Sequence, residues 1–363
     1  VETALAPLGT LRAFVRPGQR VLLKPNLLIP APPERAITTH PAVVEAMIGL
    51  VREAGGEPFI ADSPGGPLHN RLGMAALYRQ SGMSDVARRT GVKLRSESDA
   101  VQVPTPEGAL LKRLDLLKAW READVVISLP KLKTHNLTLI SGALKNLFGL
   151  VPGLTKPGYH SKLADVDQFC DMLLDIVACV KPMLTVMDGV LGMEGDGPST
   201  GGTPRHIGLI LASADPVALD AVMCRVIGVD PDGLALFRAA TRRGWWPLDI
   251  TVEGAPLGEV AVRDFRLPAA RRAARPVRGR RMISRLVTRA LTPRPVPRRG
   301  RCTACEDCVR MCPRRAITIA GRLAVVDDER CIRCYCCHEI CPEAAIDLKF
   351  SLTERLMRLT GLL

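Results

Sequence analysis

The 363-residue chain lacks the signatures by which common nucleotide and hydrolase sites are recognised. No glycine-rich loop ends in a Walker lysine, no GxGxxG follows a strand-like run, and no GxSxG elbow leads from a strand into a helix. No run of about 18 or more apolar residues occurs, so no membrane-spanning helix is expected. No secretory signal stands ahead of the cysteines, and the segment opening at Val1 reads as ordinary soluble protein whose true start lies open. Acids are missing from residues 266–301, which carry 13 arginines and so equal the whole net charge of +13. Aromatics to stack on bases are missing there too, so no specific nucleic-acid partner is expected. That stretch, rich also in proline, reads as a tether, or as a surface for an acidic redox partner or anionic lipid.

What is abundant is cysteine, and it is clustered. Nine of the twelve thiols lie in two runs, "CTACEDCVRMCP" and "CIRCYCCHEICP", offset by 29 residues. Cys302, Cys305, Cys308 and Cys312 before Pro313 have the bacterial ferredoxin spacing, and Cys331, Cys334, Cys337 and Cys341 before Pro342 repeat it. In such twin runs the fourth cysteine crosses over. One four-iron cluster is therefore expected on Cys302, Cys305, Cys308 and Cys341, and the other on Cys331, Cys334, Cys337 and Cys312. Structural zinc uses two CxxC pairs on a longer finger, and disulfides suit neither the crowding nor the absent leader. Cys336 is left over as a bystander near a cluster.

A chain this long, 47% hydrophobic, accommodates two folded units. Residues 1–265 are expected to be an α/β domain, 266–300 the Arg/Pro-rich linker, 301–349 a small α+β ferredoxin-like domain with two [4Fe-4S] clusters, and 350–363 an amphipathic helix. In that last segment Leu352, Leu356, Leu359 and Leu363 share one face, which either packs on the protein or touches a membrane. The placement expected is cytoplasmic, with peripheral membrane contact as the sharper alternative; oligomeric state is not legible.

The first 265 residues alternate short β-rich runs with helical periodicity, which predicts an α/β fold with a mostly parallel sheet flanked by helices. "RVLLK", "PFIAD", "DVVISLP", "LTVMD" and "IGLILAS" read as strands buried on both faces. Helices are expected over residues 41–54, over 163–180 with Asp167, Asp171 and Asp175 facing out, and from Pro216, with Asp215 as N-cap. Ligands of such sheets gather where strands end. There stand Lys24, Asn26, Asp62, Lys131, Lys133, Asn146 and Asp188 as candidate substrate-binding groups, and His135, His160 and Lys145 as candidate catalytic groups; "KPGYH" adds Lys156. Lys131, Lys133 and His135 alternate, so an extended chain points all three to one side. Asp188, Glu194 and Asp196 lie in a glycine-rich stretch that lacks the ligand order of an EF-hand.

The stretches "KPNLL", "SLPKLKTHNLTLISGALKNLFGL", "MDGVLGMEGDGPSTGG" and "ASADPVALDAV" resemble a family catalogued as domain of unknown function 362, which often carries a ferredoxin pair at one end. The resemblance, over about residues 21–229, implies an iron-sulfur protein of unassigned reaction. The residue types point further, to an oxidoreductase whose clusters relay electrons to or from a small anionic substrate or cofactor held by lysines, with a histidine moving the proton. Two rivals stand beside it: a non-catalytic electron-transfer subunit that docks a redox protein, and a metal or cofactor assembly factor using an exposed Cys336. An additional organic cofactor such as a flavin is left open. A ligand-sized pocket lined by Lys131, Lys133 and His135 would favour catalysis, and a flat surface there docking.

Overall fold

The computed structural model describes residues 1–65, 68, 71–153, 155–269 and 292–350. Strands β1 (Arg20–Pro25) and β6 (Val125–Leu129) show why the domain has two apolar cores. Side chains alternate across a strand, so a run apolar at every position needs cover on both faces. Val21 and Leu23 of β1 enter one core with Val125 and Ile127, while Leu22 and Val126 enter the other. The helix Pro41–Glu53 covers the first face through Val44, Met47, Ile48 and Val51. Helices Val166–Val180, Pro216–Val226 and Ala235–Arg242 cover the second.

The sheet has eight strands in the order β3 (Lys93–Leu94), β2 (Glu57–Ile60), β1, β6, β9 (Leu184–Gly195), β7 (Lys131–His135), β8 (Leu139–Ile140), with β10 (Gly202–Ser213) paired to β9. Its β1–β2, β1–β6, β2–β3, β6–β9 and β7–β9 pairs are parallel, and β9–β10 and β7–β8 are antiparallel. This is a mostly parallel α/β sheet flanked by helices. β4 (Ala100–Pro104) and β5 (Arg113–Leu117) form a separate antiparallel pair. Among the described residues no helix is long and apolar enough to cross a membrane.

Helix starts follow their caps. His40 Nδ1 accepts from the Ala42 N–H at 3.2 Å before Pro41, and Asp215 accepts from Val217 and Ala218 before Pro216. The helix expected from residue 163 begins at Val166, because Asp165 accepts from the Asp167 and Gln168 N–H groups and ends the preceding turn. Three expectations are corrected. β10 is half exposed along most of its length, since it pairs antiparallel at the edge of β9 and is not covered on both faces. The stretch carrying Asp188 and Glu194 is strand β9, not a loop. Asp175 does not face out: it is fully buried, accepts from the Ala109, Leu110 and Leu111 N–H groups at 2.7–3.0 Å, and pairs with Arg243 at 2.6 Å.

The sequence duplication is a duplication of structure. Short helices Asp307–Met311 and Cys336–Ile340 are 29 residues apart, as are β12 (Ile317–Ala320) and β14 (Ile346–Lys349). Left-handed residues Ala304, Glu306 and Arg315 recur as Arg333, Tyr335 and Ala344. β13 (Leu323–Val326) pairs with β12, and β11 (Arg294–Pro297) pairs with β14. β11 lies within the span 266–300 expected as linker, so that end of the span joins the cysteine-rich module. The rest of the span and the expected helix over 350–363 fall almost wholly outside the described residues.

Replacing Asp175 by Ala strands three buried amide donors and an arginine. Asp175→Ala is expected to cost about 3 kcal/mol or more. Asp167→Ala, on the exposed face of the same helix, is expected to cost about 1 kcal/mol or less. Denaturant unfolding of the two variants checks the contrast.

Candidate functional site

Lys24 stands near the end of β1 and Asp62 just beyond β2, so two neighbouring parallel strands bring a cation and an anion to one spot. Lys24 Nζ lies 2.9 Å from Asp62 Oδ1, and both side chains are 1% exposed. Asp62 also accepts from the Leu27 and Ser63 N–H groups, each at 2.8 Å. Burial lowers the Lys24 pKa, and Asp62 opposes the shift. Asn146 ties in the third strand: its Nδ2 donates to the Lys24 carbonyl at 3.1 Å and to Ser128 Oγ at 3.0 Å, and its Oδ1 accepts from Lys24 Nζ and Asn26 Nδ2 at 3.2 Å each. A Cβ at Gly149 would overlap the Asp62 carboxylate and the Lys24 ammonium, so the backbone can approach the pair this closely only at a glycine.

The turn Ala143–Asn146 that carries Lys145 and Asn146 is held by Asp220 of the helix Pro216–Val226. Asp220 accepts from the Ala143 and Leu144 N–H groups at 2.6 and 3.0 Å. Burial raises its pKa to about 7 against the pull of these two donors.

These groups face a pocket of about 640 Å³, counting the part that opens to solvent. Lys24, Asn26, Asp62, Lys145, Asn146, Lys156 and His160 line it from the α/β domain, and Met311, Cys336, Glu339 and Ile340 from the cysteine-rich module. Lys145 and Lys156 approach the same Phe148 ring, at 5.9 and 5.4 Å from its centroid. Lys156 donates to the Ser63 carbonyl, whereas Lys145 has no hydrogen bond or ion pair among the described residues. Burial pulls the Lys156 pKa down to about 7, Asp62 partly opposing and Lys24 and Lys145 adding to the fall. His160 is stacked on Phe169 at 4.6 Å, and burial takes its pKa to about 4, so the ring is neutral at pH 7. Its Nδ1 is buried with no partner among the described residues.

Four of the candidate groups do not line this pocket, which corrects the expectation that Lys131, Lys133 and His135 open onto a ligand. Lys131 is sealed against Asp188 at 2.7 Å, both fully buried, and Asp188 also accepts from the His40 N–H at 2.7 Å. That pair staples β7 to β9 and to the helix start. Lys133 is buried and donates to the Ile37 carbonyl at 2.7 Å; burial drives its pKa far down, with Lys145 adding to the fall. His135 Nδ1 accepts from the Leu137 and Thr138 N–H groups, which leaves the proton on Nε2, 3.1 Å from Glu339 Oε1. Burial takes His135 to about pKa 4. Against the upward push of burial on Glu339, His135 beside it holds that carboxyl low.

The thiols surround two further cavities of about 350 Å³ each. Cys302, Cys305, Cys308 and Cys341 line one, and Cys312, Cys331, Cys334 and Cys337 line the other. The Ala316 N–H donates to Cys312 Sγ and the Ala345 N–H to Cys341 Sγ, both at 3.2 Å, again 29 residues apart. Among the described residues no three His, Cys, Asp or Glu side chains gather as around a single metal ion. Cys336 is not exposed: it is 1% accessible and lines both the second thiol cavity and the pocket. Of the acidic stretch, Glu194 pairs with Arg266 at 2.7 Å and Asp196 accepts from the Ala269 N–H, so the two are not joined with Asp188. Residues 197–201 do spell GxSxG, but they turn β9 into β10, and Ser199 Oγ is buried without a partner among the described residues.

Residues 21–225 match the model of a family described as domain of unknown function, DUF362. This chain belongs to the DUF362 family. The thylakoid-associated protein sll1697 of Synechocystis sp. is 38% identical to it over 276 residues, 74% of this chain and 82% of the relative. Among solved structures, the lactate racemase apoprotein from Thermoanaerobacterium thermosaccharolyticum is similar at 11% identity and a TM-score of 0.40, over 59% of this chain and 49% of the racemase. This DUF362 chain thus spans about half of that one, and a likeness of this size carries no argument about its reaction.

Lys156, Phe148, Met311, Cys336 and Glu339 are the lining residues that strand-end reasoning passes over. Lys156 was visible in "KPGYH", yet nothing local separates it from a surface lysine. The Lys156 shift has a testable sign. With a folded pKa near 7 and an unfolded value near 10.5, the unfolded chain binds more protons between those pH values, so the native state gains stability as pH rises through that window. Lys156→Met is expected to flatten this rise, as measured by the pH dependence of melting from pH 7 to about 10.5.

Proposed function

We propose that this chain is an iron-sulfur oxidoreductase that exchanges electrons with an anionic substrate or cofactor held between its α/β domain and its cysteine-rich module. One observation carries the reading: Cys336 lines both the pocket and the cavity of Cys312, Cys331, Cys334 and Cys337, so the two share a wall one residue thick. Four thiols around each cavity, two of them receiving backbone N–H bonds, are a donor set suited to a [4Fe-4S] cluster, which spreads its cysteines about a cube rather than about a point. When bound, such clusters supply single electrons.

The chain's own groups divide the remaining work. Lys145 and Lys156 bind the anion in a site where burial strengthens each charge. Lys24, Asn26 and Asn146 fix the pocket floor, and Asp62 keeps Lys24 in place. The neutral His160, with a free Nδ1, gives or takes the proton that accompanies the electrons. The recessed pocket supports catalysis over a flat docking face, and burial of Cys336 removes the exposed thiol on which a transfer or assembly role would draw. The relative's description as thylakoid-associated supports peripheral membrane contact over a purely cytoplasmic placement.

Anaerobic purification is expected to yield about eight irons per chain with a broad iron-sulfur absorption. Cys312→Ala is expected to disturb the cluster of the second run and leave that of Cys302, Cys305 and Cys308 intact. Zinc in place of iron would sink the reading. Lys145→Met is expected to keep both clusters while slowing electron transfer to small anionic acceptors by about tenfold.

A further inference from the structure

The charges of the pocket do not balance, and the imbalance has a size. Lys24 is answered by Asp62 at 2.9 Å. Lys145 and Lys156, both facing Phe148, have no ion-pair partner among the described residues. The remaining carboxylate on the wall, Glu339, stands 3.1 Å from His135 Nε2. Two ammonium groups around one ring are thus left for whatever enters. Two polar atoms are left as well: His160 Nδ1 and Asn26 Oδ1 are buried without partners, on residues that line the same pocket. Such atoms are costly to bury unless a ligand satisfies them. Beyond them the wall is apolar, formed by Leu27, Leu28, Phe148, Met311 and Ile340.

We propose that the pocket takes a small organic dianion, a dicarboxylate or a phosphate monoester, whose two negative charges are shared between Lys145 and Lys156 while its carbon frame lies against Phe148. A monoanion would leave one ammonium uncompensated, and an inorganic dianion would leave the apolar wall unused. The depressed pKa of Lys156 is the cost of that uncompensated state, and a bound dianion relieves it. The proposal deepens the oxidoreductase reading, on which it rests only for the claim that the bound ligand then reacts.

The test is titration calorimetry at pH 7 on the anaerobically purified, iron-loaded full chain, with phenyl phosphate, succinate, benzoate and inorganic phosphate as probes. Phenyl phosphate or succinate is expected to bind at least about tenfold more tightly than benzoate, and phenyl phosphate more tightly than inorganic phosphate. Lys145→Met and Lys156→Met are each expected to erase the preference for two charges, and Lys145→Arg to retain it. The comparison among probes on the unaltered protein decides the matter even if a variant fails to fold. Benzoate binding as tightly as both dianions, inorganic phosphate matching phenyl phosphate, or no probe binding at all would overturn the proposal. A dianion that binds tightly to a chain that transfers no electrons to any acceptor would sink the oxidoreductase reading and leave this one standing; the converse would do the reverse.

Discussion

The buried Lys24–Asp62 pair is the constraint on which the α/β domain's working end depends. Two charges 1% exposed are tolerable only when each is also hydrogen-bonded, and here every bond goes to a chain segment that must therefore be in place. Asp62 fixes the turn at Leu27 and the one at Ser63. Through Ser63, whose Oγ accepts from the Gly153 N–H at 2.8 Å and whose carbonyl accepts from Lys156, the order extends to the loop that closes the pocket. Through Asn146 it extends to β6. The glycine at 149 is part of the same constraint, since any side chain there would separate the two charges.

Asp220 does for the turn at residues 143–146 what Asp62 does for the strand ends. A carboxylate buried in the helix Pro216–Val226 accepts from two amides and so sets where Lys145 points. A Cβ at Gly142 would collide with that carboxylate. The pocket lysines are consequently positioned by acids that do not touch the ligand space themselves, which keeps their own charge uncompensated there.

Legibility in the sequence followed the range of the interactions involved. The cysteine runs were readable because their spacing is local, and Lys24, Asn26, Asp62, Lys145 and Asn146 because a parallel sheet presents its strand ends together. Alternation placed Lys131, Lys133 and His135 on one side of a strand, but it carries no information on whether that side is open or sealed, and Asp188, Ile37 and Glu339 seal it. Asp175 shares a helical stripe with Asp167 and Asp171, and only residues 109–111 and Arg243, distant in sequence, turn it inward. Met311, Cys336 and Glu339 reach the pocket only because the cysteine-rich module seats on the α/β domain through contacts such as Thr200 Oγ1 to the Cys341 carbonyl at 2.8 Å and His338 Nε2 to the Asp196 carbonyl at 3.0 Å. Periodicity does not report on such seating.

That seating gives the shared wall a thermodynamic meaning. A ligand that touches Lys145 on one side and Met311 or Ile340 on the other binds the assembled arrangement and not the two parts separately. Its binding free energy therefore adds to the cohesion of the interface, and by reciprocity a well-seated module raises the affinity for ligand. The distance from the second thiol cavity to the bound molecule is set by that same equilibrium, so occupancy of the pocket acts as a clamp that fixes the tunnelling gap.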